Sequence, residues 1–177
     1  GGGLQSFARV GEGDDTGMHV IGGMREGGNI RRICEYLGIF DKVKIMDVDD
    51  DPIDVLYFAE DKQTYRIAQG KERFVDTLAE SFPEQRDNLR CYVEAIYNIV
   101  SELDMFFLRP SVDYIQSHCD DFLIAANELI AKYITDEHLR SVLAYMNPLY
   151  AGRKNMTPAY IHALISVLYI DGPSRFA

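Results

Sequence analysis

The chain has 177 residues, 47% hydrophobic and 26% charged, which suits one good core or two small ones and does not suit disorder. Its net charge of −10 argues against a duplex nucleic-acid surface, which needs clustered Lys and Arg. It also argues against docking on anionic lipid by charge alone. The three cysteines, Cys34, Cys91 and Cys119, form no CxxC and suggest neither a disulfide framework nor a zinc site. Cys34 and Cys91 sit in apolar-periodic segments and are expected to be small buried hydrophobes. No basic-then-apolar leader opens the chain, and a cytoplasmic setting, free or peripheral to a membrane, is expected.

The first 28 residues hold most of the glycine. Leu4 to Val10 reads as a strand, and Met18 to Ile21 as a second apolar run between Gly17 and Gly22-Gly23. Ile30, Ile33, Cys34 and Leu37 predict a helix over Asn29 to Leu37, with Gly38 at its stop. Val43–Val48, Val55–Ala59 and Gln63–Ala68 then read as strands, the last two joined by a hairpin-sized link. From Gly70 the pattern is helical. Helices are predicted over Lys71–Phe82, about Glu84–Phe107 and about Asp120–Ile134. Thr135-Asp-Glu-His caps another, and Thr157-Pro158 starts the last. The fold class is therefore α+β: a small antiparallel sheet followed by a bundle of about five helices.

Several sites are suggested and most fail on spacing. Asp47, Asp49 and Asp51 have the first spacings of a calcium loop, but Pro52 stands where Gly is needed and Phe58 where a bidentate Glu is needed. Gly11-Glu-Gly13-Asp-Asp-Thr16 has Thr where the third Gly of a dinucleotide fingerprint belongs, and no P-loop is present. The histidines form no metal-ligating pair, so no metal is expected. His138 reads as a surface residue, and His162 as a satisfied core or pocket-lining residue. His19 lies in a close-packed, glycine-flanked stretch that a small molecule could approach. A buried, hydrogen-bonded histidine is the other reading of it. The many tyrosines and phenylalanines of the helical half are mostly packing. Some could line an apolar pocket or a docking surface.

Taken together, Gly1-Gly2-x-Leu4-Gln5-Ser6-Phe7, Arg9-x-Gly11 and Asp15-Thr16-Gly17-Met18-His19-x-Ile21-Gly22-Gly23 resemble the FAD-dependent phytoene desaturase and retinol saturase-like oxidoreductases. Gly70-x-Glu72-Arg73-Phe74, Pro148-Leu149-Tyr150-Ala151-Gly152, Thr157-Pro158 and His162-Ala163-Leu164 agree in order and spacing. The resemblance implies that the chain starts at the Gly-Gly doublet downstream of the family's GxGxxG unit. It then ends before the segment that completes the FAD domain. On that basis residues 1–28 are a flavin-proximal strip and 29–177 a substrate-binding (cap) domain, with its sheet part at 40–70 and helical part at 71–171. Gly1, Gly2, Gly17, Met18 and His19 would lie near FAD. The parent protein would bind FAD, whereas the isolated chain would hold none and be inactive.

The expected partners follow from the same resemblance: an apolar polyene or isoprenoid-type substrate, and the missing FAD-binding domain. The former interface, if exposed, could also form a homodimer. No nucleic-acid partner is expected. Two other readings stay open on the residues alone: a helical protein-interaction module and a lipid-binding module, both without catalysis.

Overall fold

A computed structural model of the chain describes residues 4–17, 20–48, 52–110 and 118–176. The architecture is α+β, with six α-helices and six strands among the described residues. The strands pair in three two-stranded antiparallel ladders rather than in one sheet. The chain divides into two compact units, one of Gly1–Val48 with Pro173–Ala177 and one of Asp49–Gly172.

The first unit opens with a hairpin of β1 (Leu4–Arg9) and β2 (Glu12–Gly17). Its two-residue turn, Val10-Gly11, has φ of 56° and 86°, the all-positive pattern that matches strand twist. The sequence predicts β1 but not β2, because Glu-Gly-Asp-Asp-Thr-Gly has no apolar alternation to reveal a strand. β3 (Ile45–Asp47) pairs with β6 (Ser174–Phe176). Ile21 bridges Ser174 through hydrogen bonds of 2.7 and 2.8 Å. The buried Ser174 hydroxyl donates to Asp47 at 2.9 Å.

Helix α1 (Asn29–Tyr36) follows a tight glycine turn. Gly23 has φ +74°, and its carbonyl accepts from the Arg31 amide at 3.0 Å. A Cβ on Gly23 would lie 2.0 Å from Asn29 Oδ1, and one on Gly28 would lie 2.2 Å from the Gly23 carbonyl oxygen. Gly23→Ala should therefore destabilise this unit by more than the about 1–2 kcal/mol that left-handed φ alone costs. Amide exchange along α1 should speed up in the variant, and unchanged protection would refute the clash. Gly38, at φ +64°, ends α1 as expected. The apolar stripe of α1 is largely uncovered: Ile33 is 36% exposed and Leu37 59%. Cys34 is only half-buried and Cys91 is exposed, so neither is the buried hydrophobe that periodicity suggested. Cys91 shares its helix with a fully used apolar face but points away from it.

The second unit carries the main core. β4 (Asp54–Phe58) and β5 (Gln63–Ile67) form the predicted hairpin. Tyr65 and Ile67 turn inward while Thr64 and Arg66 face out. Five helices follow: α2 (Lys71–Ser81), α3 (Arg86–Ser101), α4 (Ala126–Tyr133), α5 (Glu137–Leu143) and α6 (Ala159–Ile170). α3 packs on both α2 and α6 and supplies Leu89, Tyr92, Val93, Ile96, Ile99 and Val100 to the core. α5 is capped by Asp136, whose carboxylate accepts from the Leu139 amide at 2.7 Å.

α3 stops at Ser101, short of the predicted Phe107. Arg109 folds back and donates to the Ser101 carbonyl, satisfying one orphan acceptor of the helix end. Leu103 and Phe107 still pack on the core from turns. Their helical spacing in sequence thus reflects burial without helix.

Candidate functional site

His162 is the centre of the most organised polar cluster. It sits on α6, the most apolar of the helices, and is fully buried. Its Nε2 lies 2.7 Å from the Tyr92 hydroxyl of α3, and its Nδ1 lies 3.0 Å from the Tyr150 hydroxyl. The Tyr150 hydroxyl donates its one proton to Asn147 Oδ1. It must therefore accept from His162 Nδ1–H, which leaves Nε2 to accept from Tyr92. Ser166, one turn along α6, hydrogen-bonds the Tyr92 hydroxyl. The chain Ser166, Tyr92, His162, Tyr150, Asn147 thus runs in one direction, with both tyrosine hydroxyls donating and accepting.

Burial fixes the charge states of this chain. It lowers the His162 pKa to about 4, so the ring is neutral at neutral pH. Burial raises Tyr92 strongly and pushes Tyr150 up to about 12. None of these groups is poised to ionise near pH 7. The network therefore positions groups and does not act as an acid–base centre at that pH.

A second polar group stands near it. Asp54, at the start of β4, hydrogen-bonds Tyr145, and its carboxyl pKa is raised by desolvation. Tyr145 is raised by burial and then by Asp54. Tyr97 donates to Asp171, and the Lys71 ammonium lies 3.6 Å from the Tyr97 ring centroid. Tyr92, Tyr145, Ser166 and Tyr169 border a void of about 10 Å³, enough for one water. Asp54 and Tyr169 lie within six residues, in sequence, of the two points where the chain passes between units.

His138 is not the surface residue that its helix-start position suggested. It is half-buried among Phe58, Tyr65 and Phe82, at centroid distances of 4.9, 5.3 and 6.2 Å. Its Nε2 is 3.4 Å from Asp61. His118 stacks on Phe122 at 3.8 Å, which stacks on Tyr160 at 4.9 Å. Its Nδ1 is 3.1 Å from Glu102. These rings account for several of the aromatics as packing.

A groove of about 480 Å³ opens between α4, α5 and the segment 147–157. Its floor is Ala126, Ile130 and Ala144, and Arg140, Arg153 and Lys154 stand around it. Among the described residues, no three His, Cys, Asp or Glu come together in a way that could hold a metal. No helix among them is long and apolar enough to cross a membrane.

Of the residues expected near flavin, Gly1, Gly2, Met18 and His19 lie outside the described residues. Gly17 is the last residue of β2. Gly23 and Gly28 close on each other, since their Cβ positions are filled by Asn29 and by Gly23 itself, whereas nothing lies within 4 Å of the Cβ positions of Gly11 and Gly27. Gly23 and Gly28 thus make a closed turn. The Tyr92 and Tyr150 partners of His162, and Ser166 beyond Tyr92, were not legible in sequence. Tyr92 is 70 residues away, and no local motif links it to His162.

No protein-family model matches the chain. Compared with curated proteins, it is 26% identical over 188 residues to the all-trans-retinol 13,14-reductase of Homo sapiens. The chain is similar to all-trans-retinol 13,14-reductases. The Macaca fascicularis protein of that name gives the same 26% identity and the Rattus norvegicus one 24%, each over 97% of this chain. The chain spans about 30% of the length of these reductases. The similarity therefore falls on the retinol-reductase side of the resemblance seen in the sequence.

Proposed function

We propose that this chain is the substrate-binding, or cap, region of an FAD-dependent oxidoreductase. Its substrate is an apolar retinoid or another polyene or isoprenoid-type molecule. The observation that carries this is the similarity to all-trans-retinol 13,14-reductases along 97% of the chain. In this reading the flavin supplies the redox chemistry, and the protein supplies orientation and an apolar setting. Residues 1–28 form the flavin-proximal strip, within which Gly1, Gly2, Gly17, Met18 and His19 contact FAD. The uncovered stripe of α1, with Leu37 59% exposed, supports docking on an FAD-binding domain. The buried His162 chain ties α3, α6 and the 147–150 turn into a rigid scaffold behind the substrate.

The sequence lacks a dinucleotide fingerprint, so the 177-residue chain alone should purify without stoichiometric FAD. A protein carrying it together with a strand–GxGxxG–helix unit should purify with FAD. Absorption spectra of the two preparations check this. Flavin bound by the short chain would overturn the assignment of the cofactor site to another domain. Flavin absent from both would favour a non-catalytic interaction module.

A further inference from the structure

The groove of about 480 Å³ on the second unit takes no part in the oxidoreductase reading. The polar groups it leaves unused are almost all hydrogen-bond donors. Arg140 on α5 gives its Nε–H to the Ile134 carbonyl at 2.7 Å, which fixes the guanidinium. Among the described residues its outer N–H groups meet no acceptor, and Arg140, Arg153 and Lys154 form no ion pair, although Arg86, Arg109 and Lys132 do. Thr157 Oγ1 accepts from the Arg153 amide at 2.7 Å, so its own proton is left to be donated.

The acceptors that could serve a sugar or a base are mostly spent. Asn127 Oδ1 takes the Asn155 amide at 2.7 Å, and Asn147 Oδ1 takes the Tyr150 hydroxyl. Ser141 gives its hydroxyl proton to the Glu137 carbonyl. Among the described residues no aromatic ring lines the groove, and its floor is Ala126, Ile130, Ala131 and Ala144. Three positive charges against the one carboxylate of Glu137 leave a surplus of two. The loop that carries Arg153 and Lys154 is also held in place. Ala151 and Asn155 flank them with left-handed φ of 51° and 60°, and Asn155 is locked to Asn127 at 2.8 Å. Such backbone persists where surrounding contacts impose it, so the two cations are carried on a preformed loop.

We propose that this groove binds a small soluble phosphate monoester whose organic part is apolar. The phosphate sits among Arg140, Arg153, Lys154 and the Thr157 hydroxyl, and the organic part lies on the apolar floor. A phosphate monoester carries close to two negative charges at neutral pH, with strong acceptor oxygens, which matches both the surplus charge and the unused donors. Arginine takes such a group through paired N–H bonds. A carboxylate would need only one of the cations. A nucleotide or sugar phosphate would find no ring to stack on and only Glu137 to accept from its hydroxyls. The site lies wholly in the second unit and stands or falls apart from the flavin reading.

The test is calorimetric titration of the 177-residue chain with octyl phosphate, octanol, inorganic phosphate and AMP. Octyl phosphate should bind saturably and more tightly than inorganic phosphate or AMP, and octanol should not bind. Each exposed cation in such a contact contributes a factor of roughly three, so Arg153→Ala/Lys154→Ala should weaken octyl phosphate by roughly ten-fold. Ala131→Leu, at an exposed position of the floor, should weaken octyl phosphate and leave inorganic phosphate unchanged. Arg86→Ala/Arg90→Ala, on α3, should change neither. No binding of octyl phosphate, equal binding of octanol or AMP, or full binding by the Arg153/Lys154 variant would overturn the proposal. So would capture of the chain by phosphatidic acid vesicles without any binding of the soluble ester.

Discussion

His162→Leu should lower the stability of the helical unit by about 2–4 kcal/mol. Leucine fills most of the ring's volume, so the loss is not chiefly a cavity effect. It comes from two tyrosine hydroxyls that lose their partner. Tyr92 is 1% exposed and would keep only Ser166, so the proton it gave to His162 loses its acceptor, at a desolvation cost of about 1–3 kcal/mol. Tyr150 is half-buried and keeps Asn147, so its loss is smaller. The melting temperature should fall by roughly 10 °C for a unit of this size. The double variant Tyr92→Phe/His162→Leu should recover about 1–2 kcal/mol, because it removes the orphaned hydroxyl along with its partner. Denaturant titration of the parent and these two variants checks both. A His162→Leu protein as stable as the parent would mean that the chain from Ser166 to Asn147 does not form.

The second large expected effect is on acid stability. The His162 pKa is lowered from 6.5 to about 4 by burial. Between those values the unfolded chain binds a proton that the folded chain refuses. Stability is therefore fully present above pH 6.5 and falls as pH drops toward 4, with a limiting slope of about 1.4 kcal/mol per pH unit and about 3 kcal/mol in all. Asp54 acts in the opposite sense. Its raised pKa means that the folded state takes up the proton first, so its contribution grows on acidification and is lost as pH rises through the folded value. His162→Leu should show a flatter profile from pH 6.5 downward, seen as a weaker pH dependence of the urea midpoint. An unchanged slope would place the responsible proton on another group.

Much of the helical unit was legible because its signals are local. Phe74, Val75, Leu78 and Ala79 recur at helical spacing and are all buried. The Asp136 cap follows from its place three residues before Leu139. Alternation along Gln63–Ile67 put Tyr65 and Ile67 inside. What the sequence concealed depends on distant partners. β6 is three residues long and becomes a strand only by meeting β3, more than 120 residues earlier. β2 carries two aspartates and pairs because Val10-Gly11 forms the turn that brings it back.

The histidines show the same division. His162 was read correctly as a satisfied interior residue from the apolar face around it. His138 was misread because a position in a first turn indicates exposure, whereas Phe58, Tyr65 and Phe82 arrive from other elements. The groove cations gave no signal at all. Arg140 and Arg153 are 13 residues apart in sequence and share a wall only through the fold.

The central claim is that the chain serves a flavin enzyme that reduces or oxidises a retinoid-type polyene. It is tested most directly by anaerobic spectroscopy of a protein that joins this chain to its dinucleotide-binding unit. The flavin is first reduced, and all-trans-retinol is then added. Reoxidation of the flavin, with the retinol converted to a dihydro product, is the predicted result. A flavin that stays reduced with retinol and with longer polyenes, and when oxidised is not reduced by their dihydro forms, would contradict it.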